Sequence, residues 1–355
     1  MTGKKIVVAM SGGVDSSMAS LLLKKAGWQP IGVSFRFCLW KNNRCCCNSN
    51  SFLSAKKVCQ KNNIPHFVLD LSKEFKKVVV DYFITDFKNG QTPNPCVICN
   101  RYLKFKSLFD FAKKKKADFV ATGHYAKIEP DKKGTYWLKK AKDKTKDQSY
   151  YLCLLSQKWL KKIVFPLGGY SKKQVYEIAK KEGFGFFKKE SQSQDFCFLN
   201  TSHLEPFLHK VVGERPGKIY DSQDNVLGKH KGLHFYTIGQ RKGINLNAGP
   251  WFVVDKKPKE NILVVAQKNE EKKFYKKEIF LSNFNFISGK VIEKPIKVQL
   301  KVRYGQQPKP AIVYPPKDNK LKLVFEQPQR AVTPGQFAVF YKKDICLCGG
   351  KIIYS

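Results

Sequence analysis

The chain has 355 residues, of which 42% are hydrophobic, enough for two or three domains with buried cores, and this excludes a disordered protein. Its formal net charge of +38, from 66 basic against 28 acidic residues, favours a nucleic-acid partner over composition bias alone. No apolar run approaches the ~18 residues of a membrane helix and no signal peptide precedes the first strand, so we expect a cytoplasmic protein with no membrane partner.

A glycine-rich turn follows the first predicted strand. Residues 6–10 form an apolar run typical of a buried parallel strand, and apolar residues recur at helical spacing from Val14 onward. Between them the chain reads Ser-Gly-Gly-Val-Asp-Ser-Ser at residues 11–17. Adjacent glycines let the backbone approach a ligand, and the unpaired N–H groups of the helix start attract anions. We therefore predict a phosphate site at this turn.

Two common types of phosphate site are excluded because the turn lacks their motifs. It has neither the Gly-Lys-Ser/Thr of a Walker loop nor the Gly-x-Gly-x-x-Gly of a dinucleotide site. It resembles the pyrophosphate loop of the ATP-pyrophosphatase superfamily, whose members split ATP between its α and β phosphates and transfer AMP to a substrate oxygen. An ordinary glycine turn is the weaker alternative, because seven residues match in a strand–turn–helix context.

Strands and helices alternate along the first third of the chain. We predict strands at residues 31–35, 66–71 and 118–122, and helices at residues 52–62, 73–89 and 103–116. This alternation predicts an α/β fold of the PP-loop, Rossmann-like type, with a parallel sheet, helices on both faces, and ligands at the carboxyl ends of the strands. Gly123 lies at that edge, where it either approaches a nucleotide or forms a simple turn.

The chain then changes character. Residues 127–146 are basic and polar and are predicted to form an exposed excursion from the sheet. Ser171 and Gln174 have the spacing of a capping box for a helix that ends near Gly183.

After about residue 203, short strands dominate. Residues 251–255 and 262–266 are predicted to form a hairpin, and apolar residues alternate from Val298 to Tyr304 in the pattern of a half-buried strand. We predict a small central, mostly-β domain and a carboxyl-terminal antiparallel β-barrel. The predicted domains are residues 1–202, 203–270 and 271–355.

Eleven cysteines in a cytoplasmic chain indicate metal, cluster or thiol chemistry rather than disulfides. Cys96 and Cys99 form a C-x-x-C after a proline-rich stretch that favours an extended loop. If Cys99 begins a helix, the helix start and the nearby Arg101 and Lys104 stabilise its thiolate. A C-x-x-C alone is compatible with a redox pair, half of a zinc site, part of a cluster site, or a structural role.

Motifs along nearly the whole chain resemble those of the tRNA-specific 2-thiouridylase family, which converts the 2-oxo group of the wobble uridine in certain tRNAs to 2-thio. The matching segments, in the family's order, are residues 9–17, 92–100, 121–126, 146–149, 165–169, 193–198, 236–243, 303–304 and 333–336. They include Asn-Pro-Cys-Val-Ile-Cys-Asn at 94–100 and Tyr-Thr-Ile-Gly-Gln-Arg-Lys-Gly at 236–243. The resemblance implies ATP with Mg²⁺, the anticodon stem-loop of tRNA as substrate, and a sulfur donor such as a cysteine desulfurase or a sulfur-relay protein.

The resemblance also implies residue roles. Contacts with ATP are expected from Ala9, Met10, Ser11, Gly12, Gly13, Val14, Asp15, Ser16, Phe35 and Gly123, with Asp15 assisting catalysis through Mg²⁺ or by ordering the loop. Asn94, Pro95 and Cys96 are expected beside the target base, and Lys146, Asp147, Gln148, Arg303 and Tyr304 are expected to contact tRNA. Cys99 and Cys197 are expected to be the working thiols, one a nucleophile and the other the carrier of a persulfide.

One residue departs from the family's pattern, because many members have Asp where this chain has Cys96. Cys96, Cys99 and Cys197 could hold a [4Fe–4S] cluster with one open iron, or sulfur could travel as a persulfide with Cys96 a spectator. The two routes stay open at this point. The run of Cys45, Cys46 and Cys47 is either a sulfur relay or metal site, or a loop with exposed thiols, and we favour the loop.

Two other functions remain as alternatives. Another ATP-pyrophosphatase, such as a different tRNA thiolase or an amidotransferase-like synthetase, would lack this cysteine placement and the terminal barrel. A non-catalytic basic RNA-binding protein would not need the intact Ser-Gly-Gly-Val-Asp-Ser turn.

Overall fold

The computed structural model describes residues 3–37, 49–185, 187, 197–199 and 203–354. Cys45, Cys46, Cys47 and residues 193–196 of the second cysteine motif lie outside these ranges. Within the described ranges, no helix combines the length and apolar character needed to cross a bilayer.

The first part of the chain alternates strands and helices, as its periodicity predicts. In chain order the elements are β1 (Lys5–Ala9), α1 (Val14–Lys25), β2 (Gln29–Arg36), α2 (Ser49–Lys61), β3 (His66–Asp70), α3 (Ser72–Phe75), α4 (Asp81–Lys88), α5 (Pro95–Ile98), α6 (Phe105–Lys114), β4 (Phe119–Ala121), β5 (Ala126–Pro130), β6 (Tyr136–Lys140), α7 (Gln157–Leu160), β7 (Ile163–Val164) and α8 (Lys172–Lys181). Single π-helical segments, Lys76–Val80 and Cys99–Lys104, join α3 to α4 and α5 to α6.

Five of these strands form a parallel sheet in the order β3-β2-β1-β4-β7. The central strand β1 contributes Ile6, Val7 and Val8, all fully buried, because both faces of the sheet are covered by helices. The predicted α/β class is therefore confirmed. Since β1 and β4 are neighbours, the glycine turn after β1 and Gly123 after β4 lie side by side at the carboxyl edge of the sheet.

The rest of the chain is mostly β structure. In chain order the elements are α9 (Leu204–Val211), β8 (Gly217–Tyr220), β9 (Val226–His230), β10 (Trp251–Lys257), β11 (Ile262–Gln267), β12 (Lys276–Phe286), β13 (Ile296–Lys301), β14 (Lys309–Val313), β15 (Leu321–Gln329), β16 (Phe337–Lys342) and β17 (Ile345–Ile353). A central sheet has the order β10-β11-β8-β9, with the predicted β10–β11 hairpin antiparallel. Strands β12 to β17 form the predicted antiparallel barrel, which closes through pairing of β12 with β17.

The segment at residues 127–146 differs from its prediction as an exposed excursion. It contains the antiparallel hairpin β5–β6, and β6 pairs with β17, so that Lys139 lies opposite Ile345 and the hairpin extends the barrel sheet. Leu138 is fully buried, and this apolar anchor accounts for the docking of a segment whose other side chains are mostly polar. The first part of the chain and the barrel thus share one sheet.

A buried ion pair also joins the barrel to the first part of the chain. Lys351 on β17 places its Nζ 2.7 Å from Oδ1 of Asp86 on α4. Their side chains are 15% and 7% exposed, so water screens the pair poorly. Loss of one partner would leave the other charge buried without compensation.

We expect Lys351→Ala to lower the free energy of unfolding by about 3–5 kcal/mol, because it leaves the Asp86 carboxylate buried and unpaired. Thermal and urea denaturation would measure the loss. Lys322→Ala is the matched control, because its partner Glu278 is also on the barrel but both side chains are over 40% exposed; it should cost at most about 1 kcal/mol. Equal losses in the two variants would contradict this interpretation.

Candidate active site

The glycine turn is fixed by its own serines. The backbone N–H of Ser11 donates to Oγ of Ser16 at 3.1 Å, and the Ser16 and Ser17 hydroxyls both donate to the Gly13 carbonyl, at 3.1 and 3.0 Å. Gly12 has φ +83°, and a Cβ there would lie 2.1 Å from the backbone oxygen of Ser51 on α2. Only glycine fits this position, so the turn is a rigid cradle at the start of α1.

Asp15 in the turn is held by two side chains that the sequence did not single out. Nζ of Lys172 lies 2.7 Å from both carboxylate oxygens, and the Tyr125 hydroxyl donates to Oδ1 at 2.8 Å. Lys172 opens α8, whose predicted capping box is confirmed by reciprocal hydrogen bonds between Ser171 and Gln174. The capping signal located the start of this helix, but no local pattern indicates that it faces α1.

Gly123 makes a close backbone approach to the same turn. A Cβ at this position would lie 2.7 Å from the carbonyl carbon of Asp15 and 2.7 Å from the amide nitrogen of Ser16. Because both contacts are with backbone, no side chain could move aside to admit one. A simple turn glycine would not require this approach, so the structure gives Gly123 a packing role against the glycine turn. Its contact with a nucleotide stays a prediction.

The other residues expected to contact ATP surround this edge of the sheet. Ala9 is the last residue of β1, and the Met10 carbonyl that follows accepts a hydrogen bond from Oγ of Ser34 at 2.7 Å. Phe35 near the end of β2 is buried and packs against Phe37, with ring centroids 6.2 Å apart. Val14 is the first residue of α1 and is also buried.

The loop before the cysteine pair ends earlier than predicted. The helix begins at Pro95 rather than near residue 103, with Asn94 as its N-cap, since proline at the first helical position has its backbone already preset. Cys96 therefore lies in the first turn, and Cys99 lies one turn inside, where the π-helical segment begins. The condition that Cys99 begins the helix is therefore not met, because the helix begins four residues earlier.

Burial is the largest influence on the pKa values of both thiols. It raises the pKa of Cys96 and of Cys99 above the ordinary thiol value, and the Lys104 ammonium only partly opposes this effect. The predicted stabilisation of the Cys99 thiolate is thus outweighed, because Cys99 is only 7% exposed and its charged form would be poorly solvated. Both thiols are protonated at neutral pH.

Cys197 approaches this pair from the second cysteine motif. Its charge contributes to the raised pKa of both Cys96 and Cys99, which places the three sulfurs in one electrostatic neighbourhood. Cys197 is exposed, and its neighbour Phe198 packs on Phe75 and Phe83 with ring centroids 5.6 and 5.3 Å apart. Among the described residues, however, no three His, Cys, Asp or Glu side chains are gathered closely enough to hold a metal ion. This arrangement does not fit a cluster.

His124 and Lys104 connect the glycine turn to the cysteines. His124 follows Gly123, bonds Oγ1 of Thr122 through Nδ1 at 2.7 Å, and stacks on Phe105 with ring centroids 6.1 Å apart. Burial, reinforced by the charge of Lys104, lowers the pKa of His124 well below its ordinary value, so the ring is neutral. The charge of Lys104 acts on His124, Cys96 and Cys99 alike, which indicates that the end of β4 and the thiols lie in the same region of the molecule.

The residues expected to contact tRNA have defined structural partners. Asp147 is buried and accepts hydrogen bonds from the backbone of Ala141 and Ser149, at 3.1 and 3.2 Å, while Lys146 beside it is half-buried. Gln148 accepts from the Tyr125 backbone N–H at 2.9 Å. In this structure Asp147 and Gln148 brace their loop, and their contact with RNA stays a prediction.

The second group lies just beyond β13, which ends at Lys301 instead of continuing to Tyr304. Nη2 of Arg303 donates to the Ile238 carbonyl at 2.8 Å and to Oγ1 of Thr333 at 2.7 Å. Tyr304 stacks on Tyr151, with ring centroids 4.4 Å apart and planes at 28°. The charge of Cys96 contributes to the raised pKa of Tyr151, so this aromatic stack borders the cysteine site.

The parallel sheet and its turn define an α/β protein of the HUP class. Residues 4–201 match the family model described as the tRNA methyl transferase HUP domain. Residues 205–267 match the tRNA methyl transferase PRC-barrel domain, and residues 276–352 match the aminomethyltransferase beta-barrel domain.

Relatives of known name narrow the class to one family. The chain is 42% identical to the tRNA-specific 2-thiouridylase MnmA of Clostridioides difficile, with 98% of each chain covered. It is 42% identical to the protein of that name from Clostridium perfringens, over 99% of both, and 39% identical to that of Acetivibrio thermocellus, over 99% of this chain and 100% of the other. The chain belongs to the tRNA-specific 2-thiouridylase family, which confirms the resemblance seen in its motifs.

We expect Lys104→Met to make Cys96 at least about threefold less reactive toward iodoacetamide at pH 9, because removal of the positive charge raises the thiol pKa and lowers the thiolate fraction. Mass spectrometry of the peptide that contains Cys96 would measure the rate. Lys106→Met is the matched control, since Lys106 is an exposed lysine two residues further along the same helix. Unchanged reactivity in Lys104→Met would show that burial alone controls the thiol.

Proposed function

We propose that this protein is an ATP-dependent tRNA 2-thiouridylase. It transfers sulfur to C2 of the wobble uridine in tRNA and releases AMP and pyrophosphate. The observation that carries the proposal is the close approach of Gly123 to the glycine turn, followed by the stacking of His124 on Phe105, which is the residue next to Lys104 on the helical stretch that carries the cysteines. A site of this kind can activate an oxygen with ATP and replace it with sulfur.

The first step is transfer of AMP to the base. The C2 carbonyl is a poor electrophile and its oxygen a poor leaving group, so the oxygen attacks the α-phosphorus of ATP and pyrophosphate departs. The backbone N–H groups of Gly12 and Gly13, with the hydroxyls of Ser11 and Ser16, hold the pyrophosphate. Asp15 orders the turn, a role supported by its pairing with Lys172. Mg²⁺, bound together with ATP, would neutralise phosphate charge.

The second step uses two thiols. Cys197 receives a sulfur atom as a persulfide, since it is exposed and accessible to a donor such as a cysteine desulfurase or sulfur-relay protein. The terminal sulfur attacks C2, and AMP leaves with the former carbonyl oxygen. Cys99 then attacks the sulfur of Cys197, which releases the 2-thiouridine and leaves a Cys99–Cys197 disulfide. An external dithiol reductant restores both thiols.

The tRNA interface extends over the rest of the molecule. Arg303 and Arg330 line a cavity of about 330 Å³ together with Gly305, Gln306 and Ala331, and this pair of cations suits a backbone phosphate. The Tyr304–Tyr151 stack offers an aromatic face beside Cys96 for a base that has left its helix. We propose that Lys146, Asp147 and Gln148 complete this interface, and that Asn94, Pro95 and Cys96 flank the target base.

We also propose that the chain divides into domains at residues 1–202, 203–270 and 271–355, and that it acts in the cytoplasm. The central sheet begins at β8, after helix α9, and the barrel strands begin at β12 in a separate sheet, which supports these boundaries. The first and third domains are joined by a sheet that they share, in which β6 pairs with β17.

We expect incubation with unmodified tRNA, ATP and a persulfide donor to yield 2-thiouridine, detected by mass spectrometry of digested nucleosides. Cys99→Ala and Cys197→Ala should each reduce product by at least about a thousandfold, because each removes a sulfur that the reaction needs. An unrelated tRNA without a target uridine serves as the control substrate. Pyrophosphate release with no 2-thiouridine from the wild-type protein would overturn the proposal.

The persulfide route also predicts the behaviour of iron-free protein. After chelation, the colourless enzyme should retain full activity with the persulfide donor, and Cys96→Ala should keep most of it, since Cys96 is then a spectator. Iron content, absorption spectra and nucleoside yield would be measured on the same samples. Activity that appears only after anaerobic iron reconstitution, and that disappears in Cys96→Ala, would favour a cluster instead.

A further inference from the structure

A tight turn of the barrel packs directly against the loop that leads into the cysteine site. We propose that this turn, at residues 333–336, holds that loop in its working geometry and that Gln336 is a positioning residue for the start of the helix that carries Cys96 and Cys99. The inference rests on the proposed function. It assigns a role to the Thr-Pro-Gly-Gln motif at residues 333–336, which matches the family's pattern but has no role in the reaction proposed above.

The contacts involve backbone atoms on both sides. The Thr92 N–H donates to the Pro334 carbonyl at 2.9 Å, and Nε2 of Gln336 donates to the carbonyls of Thr92 and Pro93 at 3.0 and 3.3 Å. Gly335 has φ +92°, and a Cβ there would lie 2.8 Å from the Thr92 oxygen. The turn therefore fits the loop so closely that only glycine is accommodated at its centre.

The loop needs such an external partner. Pro93 and Pro95 have no N–H group to donate, and residues 92–94 precede the helix that begins at Pro95, so no helix or strand ladder supports them. Pro93, Asn94 and Pro95 are nevertheless buried, and buried carbonyls require hydrogen-bond donors. Asn94 occupies the N-cap position of the helix whose first turn contains Cys96, without a side-chain capping hydrogen bond. Whatever fixes the backbone at Thr92 and Pro93 therefore fixes the start of the helix that carries both Cys96 and Cys99.

The turn is itself firmly anchored. Its Gly335 N–H donates to the Ile352 carbonyl on β17 at 2.9 Å, and the Gln336 carbonyl accepts from the Ile352 N–H at 2.8 Å. Arg303 donates to the Thr333 hydroxyl at 2.7 Å, and Thr333 is only 2% exposed. These hydrogen bonds to the barrel fix the position of Gln336. One of them comes from Arg303, which is also an expected tRNA contact.

The test compares Gln336→Ala and Gln336→Glu with Gln327→Ala, an exposed glutamine on the same barrel. Alanine removes the donor, whereas glutamate places a carboxylate against two carbonyl oxygens, so the defect should increase from Ala to Glu. We expect kcat for 2-thiouridine to fall by at least about tenfold in Gln336→Ala, with the tRNA and ATP affinities within about twofold of wild type. Gln327→Ala should behave as wild type.

A second readout does not depend on the reaction. Iodoacetamide should alkylate Cys96 at least about threefold faster in Gln336→Ala than in wild type, because the freed loop exposes the half-buried thiol, while Cys197 keeps its rate. If the turn served only to join the domains, Gln336→Ala would lower the melting temperature alone. An unchanged kcat together with an unchanged rate of Cys96 alkylation would overturn the proposal. A wild-type protein that makes no 2-thiouridine would refute the proposed function, yet the alkylation rates would still test the positioning role.

Discussion

The backbone approach of Gly123 to Asp15 and Ser16 is the constraint on which the site depends. Because no Cβ fits between these segments, the ends of β1 and β4 are held at the shortest separation that a chain allows. The same approach fixes the position of the next residue, His124, whose ring stacks on Phe105 beside Lys104. The glycine turn after β1 and the cysteine pair on the helical stretch that begins at Pro95 are thereby brought into one region of the molecule.

Burial and charge act in opposite directions at the thiols, and burial prevails. Cys96 and Cys99 are therefore neutral at rest, which makes them slow to react with oxidants, since the thiolate is the reactive form. Cys197 differs because it is exposed. This division suits the proposed reaction, in which one thiol must meet an outside sulfur donor while the other stays protected until it attacks the first. Lys104 is the nearby cation that favours ionisation when the buried thiol is needed.

Local periodicity predicted the features that depend on local sequence. The alternation of strands and helices up to β4, the capping box at Ser171 and the β10–β11 hairpin all follow from spacing within a few residues, and the structure confirms them. Contacts between distant segments could not be predicted in this way. The pairing of Lys172 with Asp15 and the docking of β6 on β17 depend on tertiary neighbours. The early helix start at Pro95 had a local signal, a proline at the first helical position, which the prediction of an extended loop passed over. The roles assigned to the ATP and tRNA contacts came from family resemblance and stay predictions.

The shared sheet has a consequence for biosynthesis. The hairpin β5–β6 is made early, but its partner β17 is the last strand of the described chain. During translation the outer edge of β6 therefore remains unpaired until the barrel is complete, and an unpaired strand edge is a template for association with other chains. The two lysines Lys139 and Lys140 at the end of β6 are the kind of residues that discourage such association. In a nascent chain of this protein, the edge of β6 would thus stay open to such association until β17 has emerged from the ribosome.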